Sequence, residues 1–212
     1  MRTLPQNFQI ETELEIKRSR FITNLARTPS ESEAREFIDQ IRSRYPDARH
    51  HCTAFIVRNP DAHDIERSSD DGEPSGTAGA PLLETLKGAE LTEVTVVVTR
   101  YFGGILLGTG GLVRAYTDAA NQAINASPKM ELRPLALFEV KAPHAIAGKI
   151  SAWMLSQGYE VIDTQYQQEA VFQVLSEISA QETLCENLLA LSQGEVTPVK
   201  IGTQIGESPV HS

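Results

Sequence analysis

Two glycine-rich segments contain the residue types that most suggest chemistry. The first follows a run of valines and reads VVVTRYFGGILLGTGG over residues 96–111, with five glycines in nine residues. Glycine at this density after a buried strand indicates that the backbone approaches another group closely. The second, DDGEPSGTAG over residues 70–79, contains three carboxylates and two hydroxyl groups. The first segment suggests an anion site, and the second suggests a cation site.

The first segment matches neither of the two common nucleotide-binding patterns. A P-loop, GxxxxGK[ST], requires a lysine that reaches the terminal phosphates, but Thr109 follows Gly108 at that position. The dinucleotide pattern GxGxxG fails as well, because Val113 stands where its last glycine belongs. Nucleotide hydrolysis and a Rossmann cofactor are therefore not supported, and we expect no bound cofactor.

What remains is a corner between a strand and a helix, where backbone donors are exposed. Thr109 is the expected N-cap, and the first N–H groups of the helix together with its positive dipole end favour an anion. The alternative is structural, because glycines also permit a sharp turn and close packing. Arginines and a basic segment nearby supply positive charge for a phosphate or RNA contact. The candidate contacts are Lys17, Arg18, Arg20, Arg100, Gly103, Gly104, Gly108, Thr109, Gly110, Gly111 and Arg114.

The second segment offers the oxygen ligands that Mg²⁺ and Ca²⁺ prefer. It does not match the EF-hand pattern, since no glutamate occupies the closing position. Acidic, glycine-rich segments are commonly solvated loops, and we expect no metal site here. The segment is taken as a loop motif of unassigned role, made of Asp70, Asp71, Gly72, Glu73, Pro74, Ser75, Gly76 and Thr77.

The tripeptide His50-His51-Cys52 raises the possibility of a metal site or a Cys–His nucleophile. Successive side chains of a strand point to opposite faces, so His51 and Cys52 cannot converge on one ligand. His50 and Cys52 alone do not make a zinc site. The pattern therefore predicts a histidine at a strand edge beside a buried cysteine, and no nucleophile motif of the GxSxG type accompanies it.

The net charge of −9 is unevenly distributed. Residues 1–58 contain ten Lys or Arg against eight Asp or Glu, and residues 131–212 contain four against ten. This asymmetry permits a basic patch on the first part of the chain, although an ordinary mixed surface remains the alternative. Two distant cysteines fit a reducing cytosol. Without a signal peptide or an apolar run of about 18 residues, we expect a cytoplasmic protein with no membrane partner.

The elements that position these residues predict two α+β domains, over residues 1–130 and 131–212. In the first domain we expect antiparallel strands before residue 25, a helix opened by the capping box Ser30–Glu33, and buried strands at 52–58 and 93–100. A short helix should follow Pro81, and a second helix should follow the glycine corner, with apolar positions from Leu112 to Ile124, and end at Pro128. Residues 59–79 show no periodicity and are predicted as one long loop.

The second domain has the order β-α-β-β-α-β, which is typical of a ferredoxin-like sandwich. We predict strands at 135–140, 159–166, 170–175 and 196–201. Helices are expected at 143–157 and after a second capping box at 179–182. The polar tail after Gly202 is expected to fray.

The segments DDGEPSGTAG (70–79) and VTRYFGGILLGTGGLVRAY (98–116) together resemble the signature of the IMPACT/YigZ family. KRSRFI at 17–22 resembles the family's N-terminal strand, and the C-terminal part is similar to the bacterial YigZ branch. The resemblance implies an N-terminal β-α-β fold like that of a small-subunit ribosomal protein and domain IV of elongation factor G, followed by a counterpart of domain V. It also implies relatives in eukaryotes that regulate translation initiation by competing for an activator of a stress-responsive kinase.

We therefore expect a non-enzymatic cytosolic protein linked to translation, whose partner is RNA, the ribosome or a translation factor. Its contact surface would combine the basic strand, the 59–79 loop and the glycine corner. Two alternatives remain open. The same surface could recognise a protein partner, or the chain could be an enzyme for a phosphorylated small molecule, with Asp70, Asp71 or Glu73 as metal ligand or base.

Overall fold

The computed structural model describes residues 1–59 and 62–210. The chain divides into two compact units. The N-terminal unit comprises Met1–Glu131 together with the described end of the chain from Pro209, and the C-terminal unit comprises Leu132–Ser208. Both contain helices and antiparallel sheets, so the expected two-domain α+β class is confirmed.

The N-terminal unit is built on a five-stranded antiparallel sheet in the order β2-β3-β6-β4-β5. In chain order its elements are β1 (Arg2–Thr3), β2 (Gln9–Ile16), β3 (Ser19–Arg27), α1 (Glu31–Arg44), β4 (His50–Val57), β5 (Ile65–Ser69), α2 (Gly79–Gly88), β6 (Val94–Tyr101) and α3 (Thr109–Asn125). The short strand β1 lies outside this sheet.

Helices cover both faces of the sheet. Helix α1 packs on one face, where Phe37 and Ile41 join a cluster with Phe55. Helices α2 and α3 pack on the other face, where Leu82 and Tyr116 belong to the larger core cluster. Because both faces are covered, seven of the eight residues of β6 are buried. This double burial is why the strand reads as an uninterrupted valine run rather than as an alternating pattern.

The capping box that predicted α1 is confirmed. Ser30 is the N-cap, and its Oγ accepts a hydrogen bond from the Glu33 backbone N–H at 3.2 Å. The hydroxyl also donates to Glu33 Oε1 at 2.9 Å. The cap satisfies a donor of the first helical turn that would otherwise lack a partner.

The C-terminal unit has the predicted order β-α-β-β-α-β. Its elements are β7 (Met130–Ala142), α4 (His144–Ser156), β8 (Glu160–Tyr166), β9 (Ala170–Ser176), α5 (Gln181–Leu191) and β10 (Val199–Pro209). The sheet order β10-β7-β9-β8 places the first and third strands of the unit at the centre, as in a split βαβ arrangement. Among the described residues, no helix is both long and apolar enough to cross a bilayer.

Three local predictions were wrong. The segment 59–79 contains the strand β5, which lacks a hydrophobic signal because it lies at the sheet edge and is mostly exposed. The second capping box does not form, since Ser179 lies in a 3₁₀ turn and α5 begins at Gln181 without a side-chain cap. The tail after Gly202 does not fray before Pro209, because it pairs with β7 as part of β10.

Candidate functional site

A buried ion pair joins the two glycine-rich segments. Arg100 Nη1, at the end of β6, lies 2.7 Å from Glu73 Oε1, and the two side chains are only 7% and 4% exposed. The Tyr116 hydroxyl, on α3, donates to the same carboxylate oxygen at 2.8 Å. A charge can be buried at this depth only if it is paired and hydrogen-bonded. Glu73 therefore fixes the acidic loop against β6 and α3.

Aromatic rings flank the guanidinium of this pair. Arg100 Cζ lies 5.5 Å from the ring centroid of Phe21 and 5.7 Å from that of Phe102. Cations over aromatic faces are stabilised by the ring quadrupole, and arginine is the preferred partner. Arg100 Nη2 also donates to Ser19 Oγ at 3.4 Å. These contacts make Arg100 a structural cation, and it is not an exposed contact for an external phosphate.

Cys52 extends the buried network on the same face of the sheet. Its thiol donates to Tyr116 Oη at 3.3 Å and to the Asp70 carbonyl at 2.9 Å. Burial raises the pKa of Cys52 to about 12. Since only the thiolate is a nucleophile, this cysteine is unreactive at neutral pH. The His51 side chain lies on the opposite face of β4, where its Nε2 is 3.0 Å from the Tyr45 carbonyl oxygen. The prediction that His51 and Cys52 point to opposite faces is therefore confirmed.

The other two acids of the loop motif bind the chain itself. Asp70 accepts hydrogen bonds from the backbone N–H groups of Gly76 at 2.8 Å, Ala78 at 3.0 Å and Gly79 at 2.8 Å. Burial opposes ionisation of Asp70, but the three donors outweigh it and lower the pKa of this carboxyl. Asp71 accepts from the His51 backbone N–H at 2.7 Å and from Arg42 at 3.0 Å.

The hydrogen bonds of the loop motif therefore stabilise the conformation of the loop and the start of α2. The remaining residues fit this role. Gly72 and Gly76 have positive φ angles of 86° and 75°, the Thr77 hydroxyl donates to the Pro74 carbonyl at 2.6 Å, and Ser75 is exposed. Over residues 1–59 and 62–210, no group of three or more His, Cys, Asp or Glu side chains is arranged to hold a metal ion.

The glycine corner differs in one detail from the prediction. The N-cap of α3 is Gly108, with a φ of 73°, and Thr109 is the first helical residue rather than the cap. A left-handed φ is strained for Thr, which explains the shift to glycine. The backbone N–H groups of Thr109, Gly110 and Gly111 find no acceptor among the described residues. The helix thus presents free donors at its positive end.

The basic turn between β2 and β3 contacts this corner. Lys17 and Arg18 form a two-residue turn in which both φ angles are positive, 49° and 65°. Gly103 packs so closely that a Cβ there would lie 2.0 Å from the Arg18 carbonyl carbon. Its N–H donates to Ser19 Oγ at 3.2 Å. The close approach implied by the glycine run is therefore, at Gly103, an approach to the chain's own basic turn.

The candidate cations have different surroundings. Lys17 and Arg18 are exposed, and neither side chain pairs with a described residue. Arg20 is held by Glu13 through two hydrogen bonds, at 2.8 and 3.0 Å. Arg114 is exposed on α3. Gly104 continues the corner with a φ of 83°. Of the candidate cations, Lys17, Arg18 and Arg114 are thus exposed and unpaired among the described residues, and two of these three lie in the β2–β3 turn.

A cavity of about 650 Å³ opens beside the Arg100–Glu73 pair. This cavity was not predicted from the sequence, because its wall combines residues from four separate segments of the N-terminal unit. It is lined by Asp47, Arg49, His50, Glu73, Pro74, Arg100, Tyr101, Phe102, Leu106, Leu107, Gly108, Thr109 and Leu112. The exposed apolar residues after a buried strand, Phe102 and Leu106, were the available signal in the sequence.

Each of the two units contains a match to a known protein-family model. Residues 17–124 match the Impact N-terminal domain, and residues 140–195 match a domain of unknown function, DUF1949. The chain belongs to the IMPACT family. The resemblance drawn from the two glycine-rich segments is thereby confirmed.

Relatives in two bacteria cover most of the chain. The IMPACT family member YigZ of Escherichia coli is 44% identical over 153 residues, which are 72% of this chain and 75% of that protein. YvyE of Bacillus subtilis is 36% identical over 185 residues, covering 87% and 84% of the two chains. A crystal structure described as that of a hypothetical protein superposes with a TM-score of 0.66 at 36% identity, over 94% of this chain and 96% of the other.

We expect Tyr116→Phe to destabilise the protein by about 1.5–3 kcal/mol, because it removes a hydrogen bond to a buried carboxylate. Urea unfolding followed by circular dichroism measures the change. Tyr101→Phe is the matched control, since its hydroxyl donates to the exposed Asp47 at 3.0 Å and should contribute at most about 1 kcal/mol. Equal losses from both variants would contradict the central role of Glu73.

Gly103→Ala should destabilise the protein by about 3 kcal/mol or more, because its Cβ would overlap the Arg18–Ser19 backbone. Gly110→Ala provides the control at a glycine of the same segment, where a Cβ meets no atom within 4 Å. We expect that variant to be neutral or stabilised by up to about 1 kcal/mol, owing to the helix propensity of alanine. Thermal melts of the two variants test the contact, and a wild-type-like Gly103→Ala would refute it.

The Asp70 carboxyl should make stability depend on pH in the acid range. Its pKa is lowered on folding, so its contribution is present above the unfolded-state pKa, near 3.9, and is lost as pH falls through the lower folded-state value. Asp70→Asn should therefore be less stable than wild type at pH 7, and the difference should narrow toward pH 3. Urea midpoints across this range measure it, and a gap that widens on acidification would contradict the assignment.

Proposed function

We propose that the protein is a non-enzymatic, cytosolic factor linked to translation or its regulation, and that it binds RNA through the N-terminal unit. The proposal begins from membership of the IMPACT family, because the family resemblance implies translational control by eukaryotic relatives. The proposed contact surface is the basic turn Lys17–Arg18 with the adjoining glycine corner at 103–111.

The observation that carries the proposal is the juxtaposition of Lys17 and Arg18 with Gly103. Two exposed cations without described partners lie on a turn whose backbone packs against Gly103. Gly103 begins the segment that leads to the start of α3, where the first N–H groups are free. Phosphate groups of nucleic acids are contacted mainly by Lys and Arg side chains, backbone N–H groups and helix N-termini. The basic turn and the 103–111 segment that it contacts together supply all three kinds of donor.

The overall charge of −9 limits the form that such binding can take. A strongly acidic protein does not attract polyanions over its whole surface, so recognition must depend on a local basic site. Lys17 and Arg18 meet this requirement, whereas Arg20 is neutralised by Glu13 and Arg100 by Glu73. Binding through a few phosphate contacts should be moderate in affinity and sensitive to salt.

The engagement of the acidic motif supports a non-enzymatic role. An enzyme that used Asp70 or Asp71 as metal ligand or base would need these groups free to meet a substrate. Asp70 instead binds three backbone N–H groups of its own loop, and Asp71 binds His51 N–H and Arg42. Cys52 is a buried thiol with a raised pKa.

A second candidate function is recognition of a protein partner by the same surface. Three apolar side chains of the corner are exposed, namely Phe102 at 56%, Ile105 at 41% and Leu106 at 83%. Aromatic and aliphatic anchors beside an arginine are common at protein interfaces. Such a partner would co-purify after nuclease treatment, whereas an RNA would not.

We expect the double variant Lys17→Asn with Arg18→Gly to lose RNA affinity without losing stability. Asn-Gly is the preferred sequence for a two-residue turn with both φ angles positive, so the hairpin should be retained. Fluorescence anisotropy with a labelled RNA hairpin, from about 50 to 200 mM salt, should show the slope of log affinity against log salt reduced by about 2.

The matched control is Arg35→Ala with Lys87→Ala. This control also removes two positive charges, but from side chains that are paired with Glu31 and Glu66. This control should bind RNA like the wild type, since its charges lie outside the proposed surface. RNA affinity that is absent, independent of salt, or equally reduced in both double variants would refute the proposed surface.

A further inference from the structure

We propose that the cavity beside the Arg100–Glu73 pair holds one nucleotide whose base has an exocyclic amino group, with Glu73 as the base acceptor. The inference deepens the proposed function and rests on it, since a terminal residue of a bound RNA is one source of the nucleotide. A free nucleoside monophosphate has the same chemistry and is the other source.

The size of the cavity fits this class of ligand. Its volume is about 650 Å³, within the range of about 300 to 1,000 Å³ that is typical of small-molecule sites. The wall is mainly apolar, with a few polar groups placed among hydrophobic side chains. This composition is characteristic of sites that bury a flat ring and orient it through one or two hydrogen bonds.

Glu73 supplies the specific polar group. Its Oε1 is satisfied by Arg100 and Tyr116, but its Oε2 accepts no hydrogen bond from a described residue. The side chain is 96% buried. Oε2 is nevertheless not among the fully buried polar atoms that lack a partner, so this oxygen keeps some contact with solvent. Since Glu73 lines the cavity, this oxygen is a buried acceptor open to a ligand. A carboxylate that lacks a donor favours an N–H group.

The Glu73 acceptor should favour bases that carry an exocyclic amino group over bases that lack one. Carboxylates of Asp and Glu accept from the exocyclic amino group of cytosine. The N–H donor of uracil lies between two carbonyl oxygens, which a carboxylate repels. The two pyrimidines are nearly equal in size, so a preference for cytidine over uridine would report on a carboxylate acceptor in the wall rather than on the fit of the ring, and Glu73→Gln identifies which carboxylate it is.

Other residues of the wall suit the ring and the phosphate. Phe102 is 56% exposed although its ring also packs near the Arg100 guanidinium, so part of it is available for a base. Stacking on aromatic side chains is the usual way in which proteins hold unpaired bases. Thr109 is the first residue of α3, with a free N–H, and Arg49 is an exposed guanidinium without a described partner. Both line the cavity and are phosphate donors.

Titration calorimetry of the full chain with cytidine 5′-monophosphate and uridine 5′-monophosphate tests the proposal. We expect saturable binding of both, about tenfold tighter for the cytidine nucleotide because of the hydrogen bond to Glu73. Phe102→Ala should weaken both by about tenfold through loss of the stacking face. Tyr166→Ala is the aromatic control, since Tyr166 is 71% exposed and does not line the cavity.

Glu73→Gln addresses the base acceptor directly. Glutamine presents both a donor and an acceptor, so the preference for cytidine over uridine should disappear. Because this variant leaves Arg100 without its counter-charge, circular dichroism must first establish that it folds. If it does not, the Phe102→Ala and Tyr166→Ala comparison, together with the cytidine-to-uridine ratio of the wild type, still decides the question.

A pair of short RNAs separates the two sources of the nucleotide. An oligouridine ending in cytidine should bind more tightly than an all-uridine strand if the cavity takes the end of RNA. A cytidine preference among free nucleotides with no RNA binding would overturn the proposed function and retain the cavity as a nucleotide site. Salt-dependent RNA binding without saturable mononucleotide binding up to about 10 mM, or equal affinity for the two nucleotides, would overturn this inference and leave the proposed function standing.

Discussion

The ion pair between Arg100 and Glu73 is the interaction on which the N-terminal unit depends. It joins the end of β6 to the acidic loop, and Tyr116 adds α3 through the same carboxylate oxygen. Ser19 connects the guanidinium to the β2–β3 hairpin and also accepts from Gly103. Four segments that are distant in sequence thus meet at two charged side chains. Removing either charge would leave the other buried without a partner, which typically costs about 3 to 5 kcal/mol.

This pair also explains why the two glycine-rich segments occur together. The acidic loop must turn sharply enough to direct Glu73 into the core while Asp70 binds the backbone near the start of α2. The corner after β6 must pass against the Lys17–Arg18 turn, where only glycine fits at position 103. The glycines and charged residues of both motifs are therefore required mainly by packing and by charge burial. The groups left over by these requirements include the free acceptor of Glu73, the free donors of α3 and the two cations of the turn.

These leftover groups lie on one unit and are of complementary kinds. Cations and helix donors suit phosphates, while the cavity with its exposed Phe102 and the open carboxylate oxygen of Glu73 suits a base. A structural ion pair that leaves one carboxylate oxygen open can serve stability and recognition together, since the charge is already compensated by Arg100. This arrangement links the framework of the unit to its proposed nucleic-acid surface.

The sequence by itself determined the family, the α+β class and most elements, because these depend on local signals such as the Ser30 capping box, the valine run of β6 and the βαββαβ order. It also predicted that His51 and Cys52 diverge, since strand geometry alone requires it. Tertiary structure decided what the charged residues do. Arg100 and Glu73 are 27 residues apart, and nothing local distinguishes them from surface charges such as Lys17 and Arg18. Pairing, burial and the cavity arise only when β3, β6, α3 and the acidic loop pack together, because long-range contacts decide which charges lose their water and which keep it.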